Sequence, residues 1–432
     1  MKKQMDGWLD TLKVDACPNM EEMVGMLGKH IPWLCRLKNT EQDPEWHGEG
    51  DVYIHTGMVL NELYQLLAEQ NNTVQGERRQ ALILGTLLHD IAKPCCTKRK
   101  EIKGIERVVS PGHEAKGRSY LAYRLAPLHL SQEVINMVLG LVGEHHIPKR
   151  LVIRESGIEG YLKLSRRVDC ELLYYLEMAD MSGRYCPDKK QQLEHLALFK
   201  LFAQEYGTWY SEEDPSATAY CSWQRHLIAE VGHYDADTQD LIFGNAIRDR
   251  EAGNITTPHE AVAKSYEYRD GYSCLMIMCG PSGSGKSSWI QQYLKDYYVI
   301  SLDDIRQELC GDRANQKHRG RVLQEAKTRL KRALASHKKV VWDATNLRQD
   351  FRDQLYELGY AYGALVTLVV FQQSGEEYAE GNADREYSVP KQVLARQLET
   401  TEWPTPDEAH RFWIVRDRHV ICRMGSLLRL AI

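Results

Sequence analysis

At 432 residues the chain is too long for one hydrophobic core and comfortable for two domains. Charged residues make up 27% and hydrophobic residues 43%, the balance of an ordinary soluble globular protein, and no apolar run approaches the roughly 20 residues a membrane helix needs. The net charge of −5 excludes a surface that is basic all over, though not a local basic patch.

The chain starts "MKKQMDGWLDTLKVD", two lysines with no long apolar stretch behind them, so no signal peptide and no membrane association are expected. Eleven cysteines are scattered without a CxxC pair, which points to reduced thiols and a cytoplasmic location. The adjacent Cys95 and Cys96 are read as two small packed side chains.

The first half is patterned for helices. "HTGMVLNELYQLLAEQ", "RRQALILGTLLHDIAK", "HEAKGRSYLAYRLAPL" and "SQEVINMVLGLVGEHH" place apolar residues three and four apart, and the pattern continues through "DCELLYYLEMADMSGR" and "QQLEHLALFKLFAQEYG". An N-terminal all-α helical bundle is expected. Its helices carry a spaced set of ligand-type residues. His55 opens one helix. His89 and Asp90 follow on a later one, with Lys93 a turn on from His89 and on the same face. His113 comes with "PGHEAKGR", His145 and His146 with "GEHHIP", and Asp180 with "EMADMSGR". Imidazole and carboxylate together suit divalent transition metals, and a bundle core can gather such ligands from several helices. His47 is read as structural.

The order H…HD…H…H…D, carried by His55, His89, Asp90, His113, His145 and Asp180, resembles the HD-domain phosphohydrolases over roughly residues 45 to 190. The resemblance implies one or two divalent metals (Mn²⁺, Ni²⁺, Co²⁺, Zn²⁺ or Fe) on these residues, with Asp90 bridging two. It implies a metal-activated water that attacks phosphorus, and Lys93 and Arg184 as phosphate contacts. Of the paired histidines, His145 matches the family better.

Between the halves lies the polar stretch "NAIRDREAGNITTPHEAVAKSYEYRDGY". The boundary is set at 260/261, with residues 190 to 265 read as helices completing the first domain and a connector. Beyond it, "YSCLMIMCG", "YYVISLDD", "KKVVWDATN" and "GALVTLVVFQ" alternate with helical stretches, which predicts an α/β domain with a parallel sheet and a helical lid.

Gly280-Pro281-Ser282-Gly283-Ser284-Gly285-Lys286-Ser287, after a strand and before a helix, fits G-x-x-x-x-G-K-[ST] at every required position. Its glycines let backbone N–H groups face phosphates. Lys286 can reach the β- and γ-phosphates, Ser287 can sit on Mg²⁺, and Ser288 extends the helix N-terminus. Asp303 and Asp304 end the next strand, with Arg306 behind them. Asp303 is the candidate base toward an acceptor hydroxyl, Arg306 a contact for phosphate charge, and Asp304 either a second carboxylate or a helix cap. Asp343, Thr345 and Asn346 end a third strand, Asp343 being a partner for Arg306 or for the Mg²⁺ shell. Arg385 and Arg396 are lid candidates that close on the triphosphate of ATP or another NTP. From Arg313 to Lys339 ten basic residues are opposed by Asp312 and Glu325 alone, a solvated face or a surface for a polyanion.

The P-loop, the D-D-x-R of Asp303 to Arg306, the D-A-T-N of Asp343 to Asn346 and the R-x-x-x-V-P of Arg385 to Pro390 together resemble the 5′-hydroxyl polynucleotide kinases, over roughly residues 272 to 420. The resemblance implies Asp303 as general base, Arg306 on the acceptor side and Arg385 as the donor clamp. Both halves in this order look like bacterial fusions of an HD domain with a polynucleotide kinase, which heal broken RNA or DNA ends. That implies RNA or DNA ends as partners and a nucleic acid ligase downstream. Two other readings stay open: a nucleotide phosphohydrolase fused to a small-molecule kinase, and a non-catalytic nucleotide-gated RNA-binding module.

Overall fold

The computed structural model describes residues 2–69, 74–209, 219–313, 317–385 and 387–425. The chain forms two compact units, Met1–Ala219 and Tyr220–Ile432. The division falls ahead of the expected 260/261 because the segment holding helices Ala236–Glu251 and Pro258–Ser265 is tied to the strands downstream. Leu241 packs with Cys274 and Leu365, and Arg411 pairs with Asp237 and Asp240. Helix Lys189–Glu205 stays with the first unit.

The first unit is a helical bundle. Helix Gly76–Leu88 is its axis: every residue from Arg79 to Leu88 is buried, as expected of a helix covered on all sides. It meets helix Gln132–Glu144 closely at Gly85, where a Cβ would press on the Leu141 side chain. Three of the ligand-bearing helices start at side-chain caps. Asp51 accepts Ile54 N–H at the head of Val52–Leu67, Ser131 accepts Val134 N–H before Gln132–Glu144, and Asp169 accepts two N–H groups before Cys170–Ser182. Among the described residues one regular feature is not helical. Strands β1 (Lys98–Ile102) and β2 (Ile105–Val109) form an antiparallel hairpin. Its turn residues Lys103 and Gly104 both have positive φ, as a two-residue hairpin turn requires.

The second unit carries a six-stranded sheet: β3 (Cys274–Cys279), β4 (Tyr298–Ser301), β5 (Lys339–Asp343), β6 (Leu365–Phe371), β7 (Arg411–Arg416) and β8 (His419–Gly425). The order is β4-β5-β3-β6-β7-β8, and all pairs are parallel except β7 with β8. β3 and β6 are buried at every residue, as central strands covered on both faces must be. The carboxyl ends of β3, β5 and β4 lie side by side, which sets the three phosphate-site segments together. Among the described residues no helix is long and apolar enough to cross a membrane, and all eleven cysteines are free.

Candidate active sites

In the first unit the six expected ligand residues come from five segments and meet in the core, all of them buried. Three histidines are pinned by the carbonyl three residues behind them. Nδ1 of His89 is 2.7 Å from Thr86 O, Nδ1 of His113 is 2.7 Å from Ser110 O, and Nδ1 of His145 is 2.9 Å from Val142 O. A carbonyl only accepts, so each ring carries a proton on Nδ1 and turns its Nε2 inward. His55 Nδ1 instead faces a carboxylate, lying 2.8 Å from Glu49 Oε1 without an aligned hydrogen bond.

The inward atoms converge on Asp90. On one side His55 Nε2 is 3.0 Å from Asp180 Oδ1, and His89 Nε2 is 3.3 Å from Asp90 Oδ2. On the other, His113 Nε2 is 3.1 Å from Asp90 Oδ1 and 3.3 Å from His145 Nε2. The Nε2 atoms of His55 and His89 and both Asp90 oxygens are buried without an aligned hydrogen bond. Separations of this size are what donors about 2.0–2.2 Å from a shared ion would have between them. The donor set therefore fits divalent transition metal: one position on His55, His89, Asp90 and Asp180, a second on Asp90, His113 and His145. His146 adjoins the second position, with donor atoms of His113, His145 and His146 all within 4.8 Å of one another and its Nδ1 held by Glu114 at 2.9 Å.

The electrostatics suit that use. Burial alone would raise the Asp90 carboxyl, but Lys93 and His89 outweigh it and hold it well below the usual range. Asp180 is likewise held down against burial by Arg184 and His55. Burial and the neighbouring histidines press His145 well below an ordinary imidazole, and burial brings His146 down to about 4, so both stay neutral donors. Lys93 Nζ lies 2.7 Å from Asp90 Oδ2 and 2.8 Å from Gln42 Oε1. Arg184 Nη2 is 2.7 Å from both Asp180 oxygens. Both expected phosphate contacts thus border the ligand cluster. His47, read as structural, shares Glu49 with His55 at 2.9 Å.

In the second unit the loop after β3 runs into helix Lys286–Tyr293. Gly283 and Gly285 have φ of 83° and 81°, open to glycine and strained for other residues. A Cβ on Gly283 would also run into the Tyr378 carbonyl, so the loop backbone lies directly on helix Gly375–Ala383. The Gly280 N–H donates to Thr345 O at 3.0 Å, and Asn346 Nδ2 donates to Met278 O at 2.6 Å. These two residues fasten the β5 loop to the base of the P-loop. Lys286 Nζ lies across the loop on Gly280 O, Pro281 O and Ser284 Oγ, and burial brings its ammonium down to about 8.

Ser287 Oγ donates to Asp343 Oδ2 at 2.9 Å. That puts Asp343 with the Mg²⁺-type hydroxyl rather than with Arg306, whose Nη1 donates to Asp303 Oδ1 at 2.6 Å. Asp304 does not cap its helix: Ser301 does, accepting Asp304 N–H, while Asp304 pairs with Arg313 at 2.5 Å. Ser288, Arg385 and Arg396 lie outside the buried core; Arg385 comes after helix Gly375–Ala383, and Arg396 lies on helix Lys391–Glu399.

Four groups of residues carry no signal in the sequence. Glu49 sits in a loop with no periodicity to mark it. Lys149 and Glu177 form a buried pair at 2.8 Å beside Asp180. Gln397, next to Arg396, accepts Ser282 N–H at 2.8 Å and ties the lid helix to the P-loop. Arg352 grips Glu408 through two nitrogens at 2.8 and 3.0 Å and also donates to Asn346 O. Nearly all of these contacts join residues far apart in sequence.

Comparison with known proteins agrees with this geometry. Residues 52–180 match the HD domain family, and residues 275–404 match a family described as AAA domain. The chain thus carries an HD phosphohydrolase domain and, after it, a P-loop kinase-like domain. A solved gluconokinase from Sinorhizobium meliloti 1021 is 24% identical over 34% of this chain and 85% of its own, with a TM-score of 0.26, a slight likeness. No curated protein matches the chain.

Proposed function

We propose that the chain heals nucleic acid ends at two separate sites. The P-loop domain transfers the γ-phosphate of ATP, with Mg²⁺, to a 5′-hydroxyl. The HD domain removes a 2′,3′-cyclic, 2′- or 3′-phosphate. A ligase acting downstream would then receive a 5′-phosphate and a 3′-hydroxyl.

The observation that carries this reading is the setting of Asp303. Its side chain is 55% exposed, it touches Arg306, and its helix packs against Arg319–Ala335. On that neighbouring helix Arg321, Lys331 and Arg332 face solvent. Part of the basic run is neutralised, since Arg329 pairs with Glu308 and Glu325 and Arg313 with Asp304. The remaining exposed cations lie on the helix that packs against the Asp303 helix, and Asp303 itself is half-exposed, which suits a polyanion better than a small enclosed alcohol.

In the kinase reaction Asp303 takes the proton of the attacking 5′-hydroxyl. Arg306 holds Asp303 and meets charge on the acceptor side. Ser287 and Asp343 hold the Mg²⁺ shell, Lys286 meets the β- and γ-phosphates, and Arg385 closes the donor side. In the HD domain a bound divalent metal supplies Lewis acidity and lowers the pKa of water. His55, His89, Asp90 and Asp180 would hold it, and Asp90, His113 and His145 would offer the second position. Lys93 and Arg184 orient the phosphate oxygens.

The test is a short RNA with a 5′-hydroxyl and a 2′,3′-cyclic phosphate, incubated with γ-labelled ATP, Mg²⁺ and Mn²⁺. Label on the 5′ end and loss of the 3′-terminal phosphate are expected. Label that stays in ATP with both ends untouched would sink the polynucleotide reading and turn the search to small phosphoesters and alcohols.

A further inference from the structure

We propose that a cleft on the HD domain seats the nucleoside next to the phosphate under attack, and that its base stacks on Trp46. This deepens the phosphoesterase reading and rests on it. The cleft has a volume of about 320 Å³, and Trp46, Lys149, Met181, Arg184, Asp188 and Gln192 are among its lining residues. That volume lies at the low end of the ~300–1,000 Å³ of small-molecule sites, room for one nucleotide rather than a length of strand.

The floor of the cleft carries two cations, each paired with a buried carboxylate, and borders the ligand cluster; Lys149 is held by Glu177 at 2.8 Å. Arg184 Nη2 lies 2.7 Å from both oxygens of Asp180, and Lys149 Nζ lies 4.0 Å from one of them. Arg184 Nε is buried without a hydrogen bond, a donor still to be matched. A phosphate held by this floor would sit beside Asp180, itself in contact with His55.

The rim is aromatic. Trp46 is 39% exposed, so its ring is open to a ligand. It is held on a tight turn, with Trp46 N–H and His47 N–H both donating to Asp43 O at 3.1 and 2.8 Å. His47 is bonded to Glu49, and Glu49 to His55. The turn that presents the indole is therefore tied through one carboxylate to a metal-ligand histidine. An aromatic ring in one cleft with Arg184, whose Nε is still unmatched, and with the ligand cluster behind it can take a nucleotide, base on the ring and phosphate toward the guanidinium and the ligand cluster. Stacking is tolerant of sequence, so all four bases should be accepted.

The experiment is calorimetric titration of the full-length, Mn²⁺-loaded protein with uridine 3′-monophosphate and with inorganic phosphate, the P-loop being filled with Mg-ADP. Trp46→Ala should weaken the nucleotide about tenfold or more, the scale of one lost base stack. Trp46→Phe should restore most of that affinity, and inorganic phosphate should not respond to the ring. Unchanged nucleotide affinity in W46A overturns the proposal. So does an equal loss for phosphate, which would mean that the turn and not the stack was damaged. A wild type that releases no phosphate from any RNA end, yet binds the nucleotide through Trp46, would sink the phosphoesterase reading and leave the subsite standing.

Discussion

Glu49 Oε1 lies 2.8 Å from Nδ1 of His55 and 2.9 Å from Nδ1 of His47, while its second oxygen accepts the Tyr185 N–H at 2.9 Å. Burial would raise this carboxyl, but those hydrogen bonds outweigh it and keep Glu49 ionised. One carboxylate so stands behind a ring whose far side faces Asp180. Glu49→Ala should lower metal affinity about 10- to 100-fold, the usual cost of losing a partner behind a ligand histidine. Metal titration and metal content after dialysis measure it, and activity of the P-loop domain should be unaffected.

Asp303 and His89 belong to different units. Asp303→Ala should cut the kinase about 10²- to 10⁴-fold, the range of a lost general base, and spare the phosphoesterase. His89→Ala should do the reverse. Loss of both activities from either change, with the fold intact by circular dichroism, would contradict two independent sites.

Lys286 makes a pH prediction. Its folded value of about 8 lies below the ~10.4 of a free lysine, with burial as the largest cause. A lysine depressed in this way destabilises the fold while charged. That penalty is full below pH ~8 and fades as pH rises toward 10.4. A triphosphate reverses the effect by favouring the ammonium. ATP binding at pH 8 to 9 should therefore take up protons, and at pH 6 it should not. Titration calorimetry in two buffers of different ionisation enthalpy reads the proton count, and Lys286→Met should abolish the difference.

Arg352 and Glu408 are buried together, and Tyr356 adds a hydrogen bond to the carboxylate at 2.9 Å. Arg352→Ala strands Glu408 and should cost about 3–5 kcal/mol, read as a lower urea midpoint. The double change Arg352→Met with Glu408→Leu should lose less than Arg352→Ala, because no charge is left unpaired.

The helical first half was legible because its apolar residues keep a three-to-four spacing, and β3 to β6 because they are short apolar runs. Two hairpins were not. β1 and β2 are exposed or half-exposed throughout, so they carry no apolar alternation, and β7 to β8 turns on Asp417 and Arg418, which do not look like turn residues as a pair. The grouping of residues 220–265 with the α/β unit was hidden too, since it depends on Arg411 meeting Asp237 and Asp240 far upstream.

Identity of the reactive groups is a local matter. A P-loop needs its glycines, lysine and serine in consecutive order, and His89-Asp90 announces itself as a dipeptide. Those residues could be named from the chain before any fold was known. Who holds them is not local. Glu49 behind His55, Gln397 on the P-loop and Asp343 on Ser287 are contacts between segments that meet only after packing. A hydrogen bond is decided by separation and angle in space, and spacing along a chain encodes neither once the chain has turned back on itself.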